Sequence, residues 1–313
     1  MSNLRSLTLV MCLAVATPSW AAETIFPPGS RIGLQPPAQM SLSRGLSGFR
    51  DPATGAAIVT IEMPAEAYPS MAAGFTEDAL KSQGFALSLR ETPKVDGSDA
   101  ILISGVQTDG NVKVPKTILL ASEPTMTALV IAQLPSVASP SAVADAVKAL
   151  RTVAFRPPLA MAEQLAALPF RLGDLAGFRP VRAMGGTSLL MTDGPNDVVK
   201  EAEQPIMIVA QSFAPAPPPD QRETFARTAL VANTFVKDAM LERSQGYRQA
   251  GADWHEIVAR AKDGHSGNPV VVVQTIRFEP DGYTRMVGVV RADKRDLVLP
   301  RFRRVVDSIA ITP

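Results

Sequence analysis

Three short peptides recur in the same order in the two halves of the 313-residue chain, and no other feature narrows the choice of fold as far. Leu46-Ser47-Gly48-Phe49-Arg50 returns as Leu175-Ala176-Gly177-Phe178-Arg179. Ser82-Gln83-Gly84-Phe85 returns as Ser244-Gln245-Gly246-Tyr247, and Leu150-Arg151-Thr152-Val153-Ala154-Phe155 as Val306-Asp307-Ser308-Ile309-Ala310-Ile311. One such match arises by chance; collinear order with the same local pattern around each match marks an internal duplication. The chain is expected to use one fold of about 130 residues twice, a size that buries a sufficient core unaided.

Each copy reads the same way. In the first, an apolar β-branched run at 57–63 follows the turn Asp51-Pro52-Ala53-Thr54-Gly55, and a helix is expected from about Ala65 to Ser82, stopped at Gly84, whose missing Cβ suits a left-handed cap. Strands at 86–91, 99–107, 117–122 and 126–134 come next, with Asp96-Gly97 and Asp109-Gly110 at hairpin turns. Ser139 then caps a closing helix with Pro140 at its first position, and Val143, Ala146, Val147 and Leu150 form its buried stripe. In the second copy, strands are expected at 187–192 and 205–213, a helix from about Gln221 to Ser244, and strands at 256–262, 269–278 and 284–291. A final helix begins near Asp296, because Pro300 is tolerated in a first turn, with Phe302, Val305, Val306 and Ile309 facing inward. The fold class is α+β: two tandem repeats, each an antiparallel β-sheet flanked by helices.

The first 21 residues carry the grammar of a secretory signal: Arg5, an apolar run from Leu7 to Ala16, and small residues Ser19 and Ala21 at the −3 and −1 positions. Cleavage is expected between Ala21 and Ala22. Ten apolar residues span only about 15 Å as a helix against a hydrocarbon core of about 30 Å, so a retained anchor is disfavoured. Residues 22–156 then form the first repeat, 157–168 a linker holding Pro157-Pro158 and one helical turn, and 169–313 the second repeat. The only cysteine, Cys12, leaves with the signal, and losing Arg5 leaves 30 basic residues against 30 acidic ones. A neutral, thiol-free chain with no further apolar run long enough to span a bilayer points to a periplasmic or secreted protein without disulfides, and away from nucleic acid.

The order of elements, the Leu-x-Gly-Phe lead-in and the Gln-Gly helix stop resemble the Mog1/PsbP-like α+β sandwich. The segments Trp254-His255-Glu256-Ile257-Val258-Ala259-Arg260 and Val272-Val273-Gln274-Thr275-Ile276-Arg277-Phe278 are also similar to the C-terminal copies of an uncharacterised family of bacterial exported proteins. The resemblance implies a non-enzymatic assembly or binding role, and it brings no catalytic residues with it.

Asp253, Trp254, His255 and Glu256 form the densest polar cluster. As neighbours on a strand, His255 and Glu256 point to opposite faces and do not converge on one proton or ion, and Ala259 stands where a His-Glu-x-x-His zinc site needs its second histidine. The plainer reading is a turn at a strand edge with a half-buried Trp254. His265 sits in the turn sequence Asp263-Gly264-His265-Ser266-Gly267-Asn268; only pairing with His255 across a hairpin would make a two-histidine metal site. Gly185-Gly186-Thr187-Ser188 lacks a P-loop lysine and reads as a hairpin turn. Lys294, Arg295, Arg301, Arg303 and Arg304 are interleaved with Asp293, Asp296 and Asp307 and read as a solvated helix face. No Gly-x-Ser-x-Gly elbow is present. No catalytic residue, metal or cofactor is assigned. The expected function is a periplasmic binding or assembly module for a protein or small ligand, contacting it through Asp253, Trp254, His255, Glu256 and His265, at the cleft between repeats or on the front hairpin of the second repeat with its insertion at 196–204. The alternatives are a hydrolase-type enzyme using Asp253 and His255, and a structural or stress protein of the cell envelope.

Overall fold

The computed structural model describes residues 23–197 and 202–312, so the expected signal segment with its expected Ala21/Ala22 cleavage position, and residues 198–201 of the insertion, lie outside the described residues. The first half runs β1 (Ile32–Gly33), β2 (Ser41–Leu42), β3 (Gly48–Arg50), β4 (Ala57–Met63), α1 (Ala67–Ala73), α2 (Glu77–Ser82), β5 (Phe85–Glu91), β6 (Lys94–Val95), β7 (Ser98–Asp109), β8 (Val112–Glu123), β9 (Met126–Gln133), α3 (Pro140–Leu150) and β10 (Ala154–Phe155). After α4 (Met161–Ala166) the second half runs β11 (Phe170–Leu172), β12 (Arg179–Met184), β13 (Ser188–Thr192), β14 (Ile206–Ser212), α5 (Arg222–Val231), β15 (Val236–Gln249), β16 (Ala252–Asp263), β17 (Pro269–Glu279), β18 (Gly282–Arg291), α6 (Arg295–Asp307) and β19 (Ile309–Ile311).

Two antiparallel sheets carry the chain, in the orders β2-β3-β4-β9-β8-β7-β5, with β6 beside β7, and β12-β13-β14-β18-β17-β16-β15. Position for position the two orders correspond. Each half is also closed by a clasp between its ends: β1 pairs with β10, Ile32 opposite Phe155, and β11 pairs with β19, Phe170 opposite Ile311. This is the α+β architecture expected, mostly antiparallel strands with few helices.

Both faces of each sheet are covered, which is why the central strands read as nearly unbroken apolar runs. On one face of the second sheet, Val258, Val271, Val273 and Met286 pack with Val298, Phe302, Val305 and Val306 of α6. On the other, Ile257, Ala259, Val272 and Ile276 pack with Ala226 and Leu230 of α5. In the first half α3 covers Leu119, Ala128 and Val130, and Leu80 of α2 covers Ile101 and Ile103. Ser139 caps α3 as expected, its Oγ accepting from Ala142 N at 3.2 Å.

Four expectations are corrected. The helix at 65–82 is two short ones, α1 ending at Gly74 and α2 restarting from Thr76, whose Oγ1 accepts from Ala79 N. The helix at 221–244 ends at Val231, and 236–249 is strand. Phe225, Ala229, Val236 and Met240 keep a helical spacing across the break because register shifts between Lys237 and Met240, and between Leu241 and Arg243, disturb the strand's two-residue alternation. Hence Gly84 follows a helix with φ +75°, while Gly246 lies within a strand opposite His255, and the Ser-Gln-Gly match joins places of different structure. The Leu-x-Gly-Phe match is one strand out of step, setting β3 against β12 where the sheet orders set it against β13; the match at 150–155 and 306–311 coincides with both clasps. Finally, α6 starts at Arg295 behind a 3₁₀ turn at Ala292–Lys294, which places Pro300 inside the helix, where Phe302, Val305 and Val306 buried beyond it hold the continuation.

Candidate functional site

The alternation along β16 distributes the cluster at 253–256 over two faces. Asp253 and His255 look toward α5, Trp254 and Glu256 toward α6. Asp253 pairs with Arg222 at the start of α5 at 2.5 Å and with Arg248 at 3.5 Å. His255 is 6% exposed, and its Nε2 lies 2.9 Å from Ser244 Oγ, which donates at 3.4 Å to Glu223 Oε1. Burial pulls the His255 imidazole below its usual value, against the charge of Glu223 and with that of Arg227, so the ring is neutral at pH 7. Ser244 and His255 stand at a nucleophile–base distance, but the carboxylate of Glu223 meets the serine rather than the imidazole, and Asp253 is committed to arginines. The chain of hydrogen bonds ties α5 to β15 and β16.

On the opposite face Trp254 is 5% exposed, buried rather than half-buried, and lies on the penultimate strand rather than at an edge turn. Its Nε1 donates to Gln249 O at 3.0 Å, and its ring stacks on Tyr247, centroids 6.0 Å apart and planes 11° from parallel. Arg303 lies 5.3 Å over Tyr247 and Arg277 lies 5.6 Å over Trp254, so two cations bracket two rings. Burial pushes the Tyr247 phenol up. Glu256, 6% exposed, is held between Arg243 and Arg303, the latter at 3.0 Å. Burial pulls the Arg303 guanidinium down, but Tyr247, Glu256 and Asp307 more than offset it and raise it. A cavity of about 110 Å³ opens between this face and α6 beside these charges.

His265 sits in the turn between β16 and β17, where Asp263 accepts from the His265 and Ser266 amides and from Ser266 Oγ. Burial pushes the Asp263 carboxyl up, yet those hydrogen bonds and one from Ala202 N hold it below its usual value. His255 and His265 lie toward opposite ends of β16, about 26 Å apart along the strand, which ends the two-histidine pairing. Among the described residues no group of three or more His, Cys, Asp or Glu is placed to hold a metal.

The basic residues of the last helix keep a partly solvated face, and Arg295, Arg301 and Arg304 in it also tether the helix to carboxylates. Arg301 reaches Asp193 at 2.5 Å and stacks over Phe178, Arg304 reaches Asp174 at 2.7 Å, and Arg295 pairs with Glu242. Gly185 and Gly186 form the β12–β13 hairpin turn at positive φ. The described ends of the insertion are bound down: Gln204 Nε2 donates to Thr192 Oγ1 at 2.8 Å and to Asn196 O at 2.6 Å, and Asp197 pairs with Arg179 at 2.5 Å.

A larger groove, about 530 Å³, lies where the halves meet. The turn after β2 faces the segment after β14: Leu42, Arg44, Arg50 and Pro52 line it from the first half, Phe213 and Pro215 from the second. Gly45 makes the approach feasible, since a Cβ there would sit 3.1 Å from Phe213 Cβ. Leu42 is exposed, and among the described residues neither Arg44 nor Arg50 has a carboxylate partner. Sequence reasoning placed a cleft between repeats without naming these residues; the Ser244 and Arg243 partners of His255 and Glu256 were missed because their strand was read as helix, and Arg303 because the packing of α6 on the sheet is not a local signal.

No family profile and no curated protein sequence matches the chain. Among solved structures, the T6SS immunity protein TplEi from Pseudomonas aeruginosa aligns over 93% of this chain and 97% of its own at 10% identity, TM-score 0.35. LpqN, involved in cell envelope biogenesis of Mycobacterium tuberculosis, aligns over 46% of this chain and 83% of its own at 11% identity, TM-score 0.36. The cyanobacterial PsbP of Synechocystis sp. PCC 6803 aligns over 46% and 86% at 15% identity, TM-score 0.32. Likenesses of this distance carry neither a family nor an activity over to the chain.

Proposed function

We propose that the chain is an exported, non-catalytic binding module of two tandem Mog1/PsbP-like repeats, which holds an acidic, partly apolar segment of a periplasmic protein in the groove between them. The observation that carries the reading is the groove itself: about 530 Å³ falls within the range of ligand sites, its walls mix apolar and polar surface, and among the described residues it presents two arginines without carboxylate partners. Guanidinium groups left without carboxylates beside apolar surface match an acidic segment with apolar side chains. The signal-like residues 1–21 support export. Corresponding sheet orders and the paired clasps support a duplicated unit divided as 22–156, 157–168 and 169–313.

The test is capture from a periplasmic extract by the mature protein, by an Arg44→Glu/Arg50→Glu variant and by Ser244→Ala. The charge reversal abolishes capture of the partner and Ser244→Ala leaves it intact. Capture indifferent to the reversal ends the proposal; loss of capture or of phenotype in Ser244→Ala alone favours the hydrolase reading, for which the Ser244–His255 hydrogen bond is the supporting observation. The mass of the purified periplasmic protein should correspond to a chain beginning at Ala22.

A further inference from the structure

We propose that the cavity between the second sheet and α6 is a binding site for a small aliphatic monocarboxylate. Four observations converge there. Thr275 is 1% exposed and lines the cavity, yet among the described residues its Oγ1 has no hydrogen-bond partner. A buried hydroxyl without a partner costs about 1–3 kcal/mol, and a chain keeps such a group most readily where something else bonds to it. Beside it Arg243 and Arg303 stand on either side of Glu256 in the lining. Each guanidinium retains N–H donors after its bonds to Glu256 and, for Arg303, Asp307. The remaining wall, including Val273 and Leu299, is hydrocarbon, and about 110 Å³ has room for a chain of three to four carbons rather than a drug-sized molecule. Arg243 and Arg303 are half-exposed, with 57% and 44% of their side chains open, so they stand at the mouth.

The carboxylate takes N–H bonds from the two arginines and the hydroxyl proton of Thr275, while its alkyl chain lies against Val273 and Leu299. This site is separate from the groove between the halves and does not depend on it.

The experiment titrates the mature full-length protein with sodium butyrate, following the methyl resonances of Val273 and Leu299 and the thermal midpoint, with butyramide and inorganic phosphate as controls. Butyrate shifts those methyls saturably, and butyramide and phosphate do not. Thr275→Val keeps the shape and removes only the unpartnered hydroxyl, so the variant folds with unchanged or higher stability and binds butyrate about tenfold more weakly. Arg303→Gln weakens binding to a similar extent. The proposal is overturned if butyrate produces no saturable shift, if butyramide or phosphate binds as tightly, or if Thr275→Val binds butyrate as well as the wild type does.

Discussion

In the first half the sheet is closed by aliphatic side chains: Leu102, Leu119, Val130 and Leu150 are each fully buried around Phe49. In the second half the same strand order is crossed by arginines and aromatic rings, and every aromatic pair among the described residues lies there. The cause is visible at one edge. The edge strand β5 has 7 residues; its counterpart β15 has 14. Arg243, Ser244 and Tyr247 of β15 lie beside β16, and these three side chains build the Glu256 bridge, the His255 hydrogen bond and the stack on Trp254. One architecture therefore serves two chemistries, and the difference is made at the edge, where additions disturb the core least.

The largest expected effect tests whether the halves are energetically separate. Phe302 is buried, stacks on Phe178 at 5.4 Å and faces Gly288, so Phe302→Ala should cost about 3–5 kcal/mol; Leu150→Ala, in the closing helix of the first half, should cost about 2–5 kcal/mol. Apart from Trp20 of the expected signal segment, Trp254 is the only tryptophan, so in the protein beginning at Ala22 its fluorescence reports the second half alone. In urea, Phe302→Ala should lower the fluorescence midpoint while Leu150→Ala lowers only the circular-dichroism transition of the first half. Equal fluorescence shifts from both would show one cooperative unit and dissolve the comparison.

A smaller effect separates the closing helices. Ser139 caps α3 with its side chain, whereas Lys294 before α6 makes no side-chain cap. Ser139→Ala should cost about 1 kcal/mol in the same urea experiment, and Lys294→Ala no more than a few tenths. Comparable losses would mean that the 3₁₀ turn before α6 does not substitute for a cap.

The smallest effect is a pH slope confined to the second half, which holds both histidines. Burial lowers the His255 pKa in the folded state, despite Glu223, so below its usual 6.5 the unfolded chain takes up the proton first. Stability is therefore fully present above pH 6.5 and falls as the pH drops below it, through the folded value. His255→Gln should flatten the fluorescence midpoint between pH 7 and pH 5 relative to the wild type; an unchanged slope would show that His255 titrates as in the unfolded chain.

Much of the strand layout was legible because period-two patterns and Asp-Gly turns are local: the β7–β8 hairpin stands where Asp109-Gly110 placed it, and β17 and β18 stand where the apolar runs at 269–278 and 284–291 placed them. The division of β16 between two faces followed from alternation, which correctly kept His255 and Glu256 apart. What failed was the stretch from 232 to 249. There two register shifts scrambled the alternation, and Asn233, accepting from Phe235 N, turned the chain where the apolar spacing ran on. Of the missed partners, Arg243 and Ser244 lie on that strand, whereas Arg303 comes from α6. The recurring peptides were similarly mixed: the one at the end clasps marks equivalent places, while the Gln-Gly match does not.

The sequence by itself determined the α+β class, the strands of both sheets apart from β12, β15 and a few short pieces, and the thiol-free, charge-balanced character of residues 22–313, because these depend on composition and on spacing within a few residues. Only the tertiary structure decided which charges meet. Arg243 and Arg303 come to Glu256 from 13 and 47 residues away, and Arg44 and Phe213 line one groove from different halves. Such pairings depend on strand register and on the helix laid over the sheet, and a one-residue shift in either turns a side chain to the other face.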